Sequence, residues 1–402
     1  MQKIVVVGAG QAGATVAATL RGEGFEGQIT MLGAETAPPY QRPPLSKGYL
    51  LGEMPRERLF LRAESFYADQ NIDLRVGVSA NVIDRAAKVV RTDAGEFSYD
   101  ALVLTTGATP RRLPPALGGD LAGVHVVRTL DDVDHLAPEV IEGRHALIVG
   151  GGYIGLEAAA ICRKRGLHVT LIETADRILQ RVAAPATSAY FRALHEDHGV
   201  NVREGLGVAR LMGTNGRVSS AVLSDLTEMP IDLAVIGIGV LPNTDVAAAA
   251  GLAIGNGIAV DVFGRTSDPD VYAAGDCASF PYRGTRVRLE SVQNAIDQGE
   301  IVACNILGQA RAYDPVPWFW SDQYDVKLQI AGLNTGYDRV VVRDGGTARS
   351  HWYYAGDTLL AVDAMNDPRA YMVGKRLLEG GRNPDAALVG DATVDLKGLL
   401  RG

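Results

Sequence analysis

Two glycine-rich stretches are spaced for chemistry. Gly8-Ala9-Gly10-Gln11-Ala12-Gly13 follows a short β-branched run at 3–7 and leads into helical composition at 14–23, with a second strand expected at 29–32. In that setting Gly8 permits a tight turn. Gly10 lets a pyrophosphate approach the helix N-terminus, and Gly13 lets helix and strand pack closely. The grammar returns with a strand at 146–149, the turn Gly150-Gly151-Gly152-Tyr153-Ile154-Gly155, a helix at 156–165 and a strand at 168–173. A lone G-x-G-x-x-G is a weak signal. Two in one chain, each with its strand, turn, helix and strand, outweigh the alternative of two glycine turns without ligands, and read as two dinucleotide sites.

Acidic residues refine the reading. Glu173 stands about 20 residues beyond the second turn, where a carboxylate accepts hydrogen bonds from free ribose hydroxyls. A 2′-phosphate would face it with like charge, at roughly 4 kcal/mol per unit pair for ~4 Å and an effective dielectric near 20. NADH is therefore expected over NADPH. Arg177, four residues later, is the counterweight, because it could swing onto a phosphate. After the first turn the equivalent slot is Gly33, and Glu35 is the candidate ribose ligand, with a solvated loop carboxylate as the other reading.

These residues need large elements to position them. A chain of 402 residues exceeds one hydrophobic core, so two or three domains are expected. The 47 glycines suit a chain that repeatedly brings backbone close to ligands. A formal charge of -8 argues against nucleic-acid or acidic-membrane binding. The cysteines, Cys162, Cys277 and Cys304, form no C-x-x-C pair and are too few for an all-cysteine iron–sulfur cluster. They imply a reducing compartment, no bound metal and, if iron–sulfur chemistry is involved, a cluster on another protein. The uncharged run at 4–20 is broken by glycines, Gln11 and threonines, unlike a signal peptide. No run reaches the ~20 apolar residues of a membrane span, so a cytoplasmic location is expected.

Two further motifs carry a resemblance. A strand at 102–108 contains Thr105-Thr106-Gly107, and the stretch 266–276 ends in Gly275-Asp276. The Asp276 carboxylate could accept from a ribityl hydroxyl, cap a helix, or do both. With the two fingerprints, these motifs make the chain resemble the two-dinucleotide-binding-domain flavoproteins over nearly its whole length, departing only at Thr105 in an alanine position. Tyr40-Gln41-Arg42-Pro43-Pro44-Leu45-Ser46-Lys47 holds no cysteine, unlike the thiol-dependent members. That run, Gly150–Glu157, Glu290–Ala295 and Pro317-Trp318-Phe319-Trp320-Ser321-Asp322-Gln323 resemble the oxygenase-coupled, putidaredoxin reductase-like ferredoxin reductases.

The resemblance implies an α/β fold: two Rossmann-like, glutathione reductase-like domains for FAD and NAD, plus a C-terminal α+β domain. FAD would occupy 1–108 with 238–314, NAD 109–237, and the last domain 315–402. The residues themselves mark the switch back at a strand-like run, 235–239, and in the tail alternating stretches at 340–343, 351–354 and 358–362 read as antiparallel strands, followed by a helix at 369–379. FAD contacts would come from Gly8, Gly10, Ala12, Gly13, Glu35, Arg42, Val82, Thr106, Gly107, Arg128, Asp276 and the Val292 backbone. NADH contacts would come from Gly150, Gly152, Tyr153, Ile154, Gly155, Glu173 and Gly237. Lys47 would sit near flavin N5, paired with Glu157. Tyr153 would cover the nicotinamide pocket, and Trp320 would pack near the flavin. Plainer readings stand beside these: an exposed Lys47–Glu157 pair, Tyr153 as core, and Trp318 and Trp320 as packing.

The activity so implied is hydride transfer from NADH to FAD, the two rings meeting, then single-electron delivery to a [2Fe–2S] ferredoxin serving a cytochrome P450 or ring-hydroxylating oxygenase. A rubredoxin reductase and an NADH-sensing, apoptosis-inducing-factor-like binding protein are the alternatives. A monomer or weak dimer is expected. Lys327, Lys375 and Arg376 are candidate docking cations, and equally a solvated face.

Overall fold

A computed structural model describes residues 2–401. Backbone contacts divide the chain into two units. One comprises Met1–Gln41, Arg56–Thr109 and Val240–Pro315; the other comprises Arg42–Pro55, Pro110–Gly239 and Val316–Gly402.

The first unit is built on a five-stranded parallel sheet, ordered Val271–Ala273, Ala101–Leu104, Lys3–Val7, Gln28–Gly33, Ile72–Val76. The first strand in sequence lies at the centre. Its successors pair on one side and later strands on the other, which makes a topological switch point at its carboxyl end. Helices Gln11–Gly22 and Val292–Ile306 pack on each other, and Gly299 makes this possible: a Cβ there would lie 3.0 Å from the Ala12 carbonyl oxygen. Ile4, Val6, Val16, Leu20, Met31, Val103 and Val302 fill the buried core.

The second unit repeats the plan. Its parallel sheet runs Asn201–Glu204, His168–Glu173, His145–Val149, Leu233–Ile236, Val124–His125, again with the fingerprint strand central. The same unit carries a five-stranded antiparallel sheet, ordered Trp318–Gln323, Val326–Gly332, Thr358–Met365, Arg349–Ala355, Arg339–Asp344. Helix Pro368–Glu379 buries Ala370, Tyr371, Val373 and Leu377 against it. The alternating apolar stretches and the C-terminal helix expected from the sequence are present.

Four boundaries differ from expectation. Both fingerprint helices begin inside the glycine turn, at Gln11 and Tyr153 rather than at 14 and 156. The third glycine of each motif lies in the first helical turn and is close-packed there, so the chain is already wound before the helix-favouring run begins. The strand expected at 102–108 ends at Leu104, where Thr105 turns to bond the neighbouring strand end. The strand-like run at 235–239 belongs to Leu233–Ile236.

A buried carboxyl sits inside the second unit. Asp363 is 1% exposed and accepts hydrogen bonds from Thr187 Oγ1 (2.8 Å) and the Tyr353 hydroxyl. Hydroxyls rather than a cation hold it, so burial pushes its pKa from 3.8 to about 6. The native state therefore holds this proton more tightly than the unfolded chain. The group costs nothing below its ordinary pKa. Its cost grows as pH rises through about 6, to roughly 3 kcal/mol above that. Urea unfolding should show Asp363→Asn gaining on the natural sequence by up to about 3 kcal/mol between pH ~4 and ~7. A pH-independent difference would contradict this account of the carboxyl.

Candidate functional site

In the first unit the glycine turn is held by contacts that admit no side chain. Gly8 has φ +117°, and a Cβ on it would lie 2.1 Å from the Thr105 carbonyl oxygen. A Cβ on Gly13 would lie 2.0 Å from the Gly8 oxygen, whereas one on Gly10 would meet nothing within 4 Å. The cradle is thus closed beneath and open above, over a helix N-terminus with no side-chain cap. Thr105 earns its departure from alanine: its hydroxyl donates to the Gly8 oxygen at 2.8 Å and pins the turn. Thr106 and Gly107 are clamped by Asn243. The Thr106 hydroxyl donates to the Asn243 oxygen (2.6 Å), Asn243 Nδ2 to the Thr106 oxygen (2.8 Å), and Asn243 N to the Gly107 oxygen (2.9 Å).

Gly275 has φ +82°, and a Cβ there would meet the Ala12 side chain at 3.1 Å. Its N–H donates to Gln298 Oε1 at 2.8 Å, which fixes the turn presenting Asp276. Val292 opens its helix beside Ser291, whose hydroxyl accepts from Asn294 N. Gly33 is explained by Ala9: a Cβ on Gly33 would lie 2.6 Å from that of Ala9. Glu35, displaced along the loop, accepts from the buried Tyr40 hydroxyl at 2.5 Å, so it is not a free solvated carboxylate. Val82 lies on strand Ala80–Asp84 of a separate three-stranded sheet, 48% exposed.

The second unit repeats the same three constraints on its cradle. Gly150 has φ +106°, with a built Cβ 2.4 Å from the Gly237 oxygen; a Cβ on Gly155 lies 2.0 Å from the Gly150 oxygen; Gly152 is open. Gly237 N donates to the Val149 oxygen at 2.7 Å. Ile154 is 44% exposed in the first helical turn. Glu173 accepts from Gly151 N (2.7 Å) and Ala175 N (2.8 Å), which holds its carboxylate at the end of the second strand. Arg177 is engaged elsewhere, by the Ser188 hydroxyl and the Gln180 carbonyl (3.3 Å).

One carboxylate gathers the remaining residues. Glu157, on the fingerprint helix, is 3% exposed. Its Oε2 accepts from Lys47 Nζ (2.7 Å) and Ser46 Oγ (2.6 Å), and its Oε1 from Ser321 Oγ (2.7 Å). The reading of Lys47–Glu157 as an exposed pair is overturned. Glu157 is buried while the Lys47 side chain keeps 21% of its surface exposed, so the pair is half-buried, and losing the lysine would leave a buried carboxylate without its cation, a larger cost than at a surface pair. Strand alternation explains the contacts of Trp318–Gln323. Phe319, Ser321 and Gln323 reach Tyr153 (ring centroids 4.7 Å), Glu157 and His195, while Trp318 and Trp320 pack on each other in a tilted pair, centroids 5.6 Å apart, on the opposite face. The Tyr153 hydroxyl is buried with no hydrogen-bond partner among the described residues, and burial pushes its pKa well up. Arg42 Nη1 donates to the Arg128 carbonyl at 2.7 Å, so these two expected FAD contacts adjoin.

Sequence reasoning gave no role to Ser46, Ser321, Asn243, Gln298 or Tyr40. Ser46, Ser321 and Tyr40 lay within motifs already quoted, but nothing in the spacing pairs the two serines with Glu157 or Tyr40 with Glu35. Of the docking candidates, Lys375 lies over the Trp318 ring at 5.3 Å and near Glu379 at 3.7 Å. All three cysteines are buried; burial raises Cys277 and pushes Cys162 to about 12, so neither forms a ready thiolate at neutral pH. No group of three metal-ligating side chains occurs among the described residues, and no helix there is long and apolar enough to cross a membrane. Two Cβ-free cradles, each under an uncapped helix, fit two dinucleotides. Gly8, Gly10, Gly13 and Asp276 would hold FAD; Gly150, Gly152, Gly155 and Glu173 would hold the nicotinamide cofactor.

Comparison with known proteins places this geometry. Residues 2–299 match the pyridine nucleotide-disulphide oxidoreductase family, and residues 318–400 match the reductase C-terminal family. The chain is 45% identical to a ferredoxin–NAD(P)(+) reductase, fdr, of a Sphingomonas species, covering 94% of this chain and 92% of that protein. It is 42% identical to putidaredoxin reductase CamA of Pseudomonas putida, over 99% and 96% of the two chains. The crystal structure of the covalent putidaredoxin reductase–putidaredoxin complex superposes with a TM-score of 0.96 at 40% identity, covering 100% of this chain and 98% of that one. The chain therefore belongs to the pyridine nucleotide-disulphide oxidoreductase family, among its putidaredoxin reductase-like ferredoxin reductases, FAD-dependent enzymes that use NAD(H).

Proposed function

We propose that this chain passes electrons from NADH through FAD to a [2Fe–2S] ferredoxin that serves a cytochrome P450 or ring-hydroxylating oxygenase. The observation that carries this is the pair of equivalent cradles in one chain, together with a Lys47–Glu157 ion pair on a buried carboxylate where thiol-dependent relatives would use cysteines. When bound, FAD accepts two electrons together from the nicotinamide and releases them singly, which suits a one-electron iron–sulfur acceptor.

The chain's own residues bind and orient. Gly8, Gly10 and Gly13 bring backbone N–H groups to the FAD pyrophosphate, with Thr105 holding the turn. Arg42 and Arg128 supply positive charge for its oxygens, Asp276 an acceptor for a ribityl hydroxyl, and Val82 and Val292 backbone contacts. Glu35 and Tyr40 form a hydrogen-bonded pair suited to the adenosine ribose. The second cradle and Gly237 hold NADH, with Glu173 on its ribose. Tyr153 and Ile154 would border the nicotinamide, and Trp320 would offer an aromatic face to the flavin. Lys47 supplies the charge that stabilises an electron-rich flavin, and Glu157 keeps that ammonium placed. Neither is asked to move a proton.

Residues 1–108 with 238–314 are assigned to FAD, 109–237 to NAD, and 315–402 to the partner-facing domain. Three buried cysteines without a disulfide fit a reducing cytoplasm. A monomer or weak dimer suffices, because both cradles belong to one chain.

Two measurements check this reading. The purified protein with NADH should reduce ferricyanide directly, and cytochrome c rapidly only after a [2Fe–2S] ferredoxin is added. Rapid reduction with rubredoxin alone would favour a rubredoxin reductase; slow turnover with a long-lived charge-transfer band would favour a sensor. Steady-state kcat/KM should favour NADH over NADPH by more than about tenfold, and Glu173→Ala should narrow that ratio. Equal values for both nucleotides in the natural sequence would contradict the role of Glu173.

A further inference from the structure

Glu157 is held at both oxygens, but unequally. Ser46 and Lys47 share Oε2, and Ser321 alone holds Oε1. Two donors on one oxygen leave the carboxylate free to turn about it; the third, on the other oxygen, fixes its plane.

Ser321 is itself the end of a chain. Gln323 Nε2 lies 3.2 Å from Ser321 Oγ, Gln323 Oε1 lies 2.9 Å from His195 Nε2, and His195 Nδ1 lies 3.4 Å from the Tyr324 hydroxyl. Ser321, Gln323 and His195 are all fully buried. Their hydrogens follow from the Glu157 end. As the ion-pair partner of Lys47, the carboxylate only accepts, so the Ser321 proton is committed to it. Ser321 Oγ must then accept from the Gln323 amide nitrogen, and the Gln323 oxygen faces His195. The His195 proton therefore lies on Nε2, leaving Nδ1 to accept from Tyr324. Burial pushes His195 down to about 4, which agrees with a neutral ring carrying a single proton. Every donor in the chain points toward Glu157, and such series polarise one another. The amide of Gln323 passes no proton along, so the chain orients rather than conducts.

We propose that Ser321, Gln323 and His195 are positioning residues that fix the Glu157 carboxylate, and through it the Lys47 ammonium, for flavin reduction. The inference rests on the role given to Lys47 above. Sequence separation hides it: Ser321 is 164 residues from Glu157, and Gln323 is 128 from His195.

The test uses the FAD-loaded enzyme, with Ser321→Ala and Ser321→Thr each made in the natural and Lys47→Ala backgrounds. Anaerobic stopped-flow mixing with saturating NADH gives the flavin reduction rate, and spectroelectrochemistry gives the midpoint potential. Ser321→Ala should slow reduction about 3- to 10-fold, in keeping with loss of one charge-assisted hydrogen bond, and should lower the potential. Ser321→Thr, which keeps the hydroxyl, should restore both. In the Lys47→Ala background Ser321→Ala should change neither further, because coupled residues are not additive. Gln323→Leu should act in the same direction with smaller effect, and serves if Ser321→Ala folds poorly.

An unchanged rate and potential in Ser321→Ala, or the same slowing with Lys47 absent, would overturn the proposal while leaving Lys47 its role. An unchanged rate and potential in Lys47→Ala would remove that role, and the proposal with it.

Discussion

A buried carboxylate needs partners, and Glu157 has three. Leaving a charge inside a protein unpaired costs several kcal/mol, so the segments that carry its partners are bound to it. Ser46 and Lys47 bring in the stretch after Arg42-Pro43-Pro44, and Ser321 brings in the first strand of the antiparallel sheet. This accounts for the grouping of Arg42–Pro55 with the second unit rather than with the sheet that precedes it in sequence. It also accounts for chemistry without a thiol. A held ammonium can stabilise negative charge, and needs only to stay where it is.

The two glycine turns solve a separate problem, the approach of backbone to phosphate. Each turn is locked to the neighbouring strand end at a distance that excludes a Cβ, by Thr105 in one unit and Gly237 in the other. The units then diverge in one detail with a steric cause. Ala9 occupies the space beside Gly33, which leaves no room for a side chain on the strand end, and the acid appears two residues later as Glu35, bonded to Tyr40. In the second unit Gly151 stands in the place of Ala9, and Glu173 bonds its N–H directly.

These differences mark what the sequence could and could not reveal. The fingerprints, Glu173 and the strand–helix alternation were legible because each depends on neighbours a few residues away. The antiparallel tail was legible from its period of two. Helix starts were misplaced by three residues at each turn, since composition does not register a helix whose first turn still runs through the glycine motif. The departure at Thr105 was visible but mute until its hydroxyl was seen on Gly8. The burial of Glu157 and its bonds to Ser46 and Ser321 join residues 111 and 164 positions apart, and no local pattern encodes such contacts.

The account stands on one chain holding a flavin that a nicotinamide can reduce. Anaerobic titration of the purified protein with NADH addresses this directly. The account expects a yellow protein whose flavin absorption is bleached by a single equivalent of NADH. A colourless protein that takes up no FAD, or a flavin band untouched by excess NADH, would contradict it.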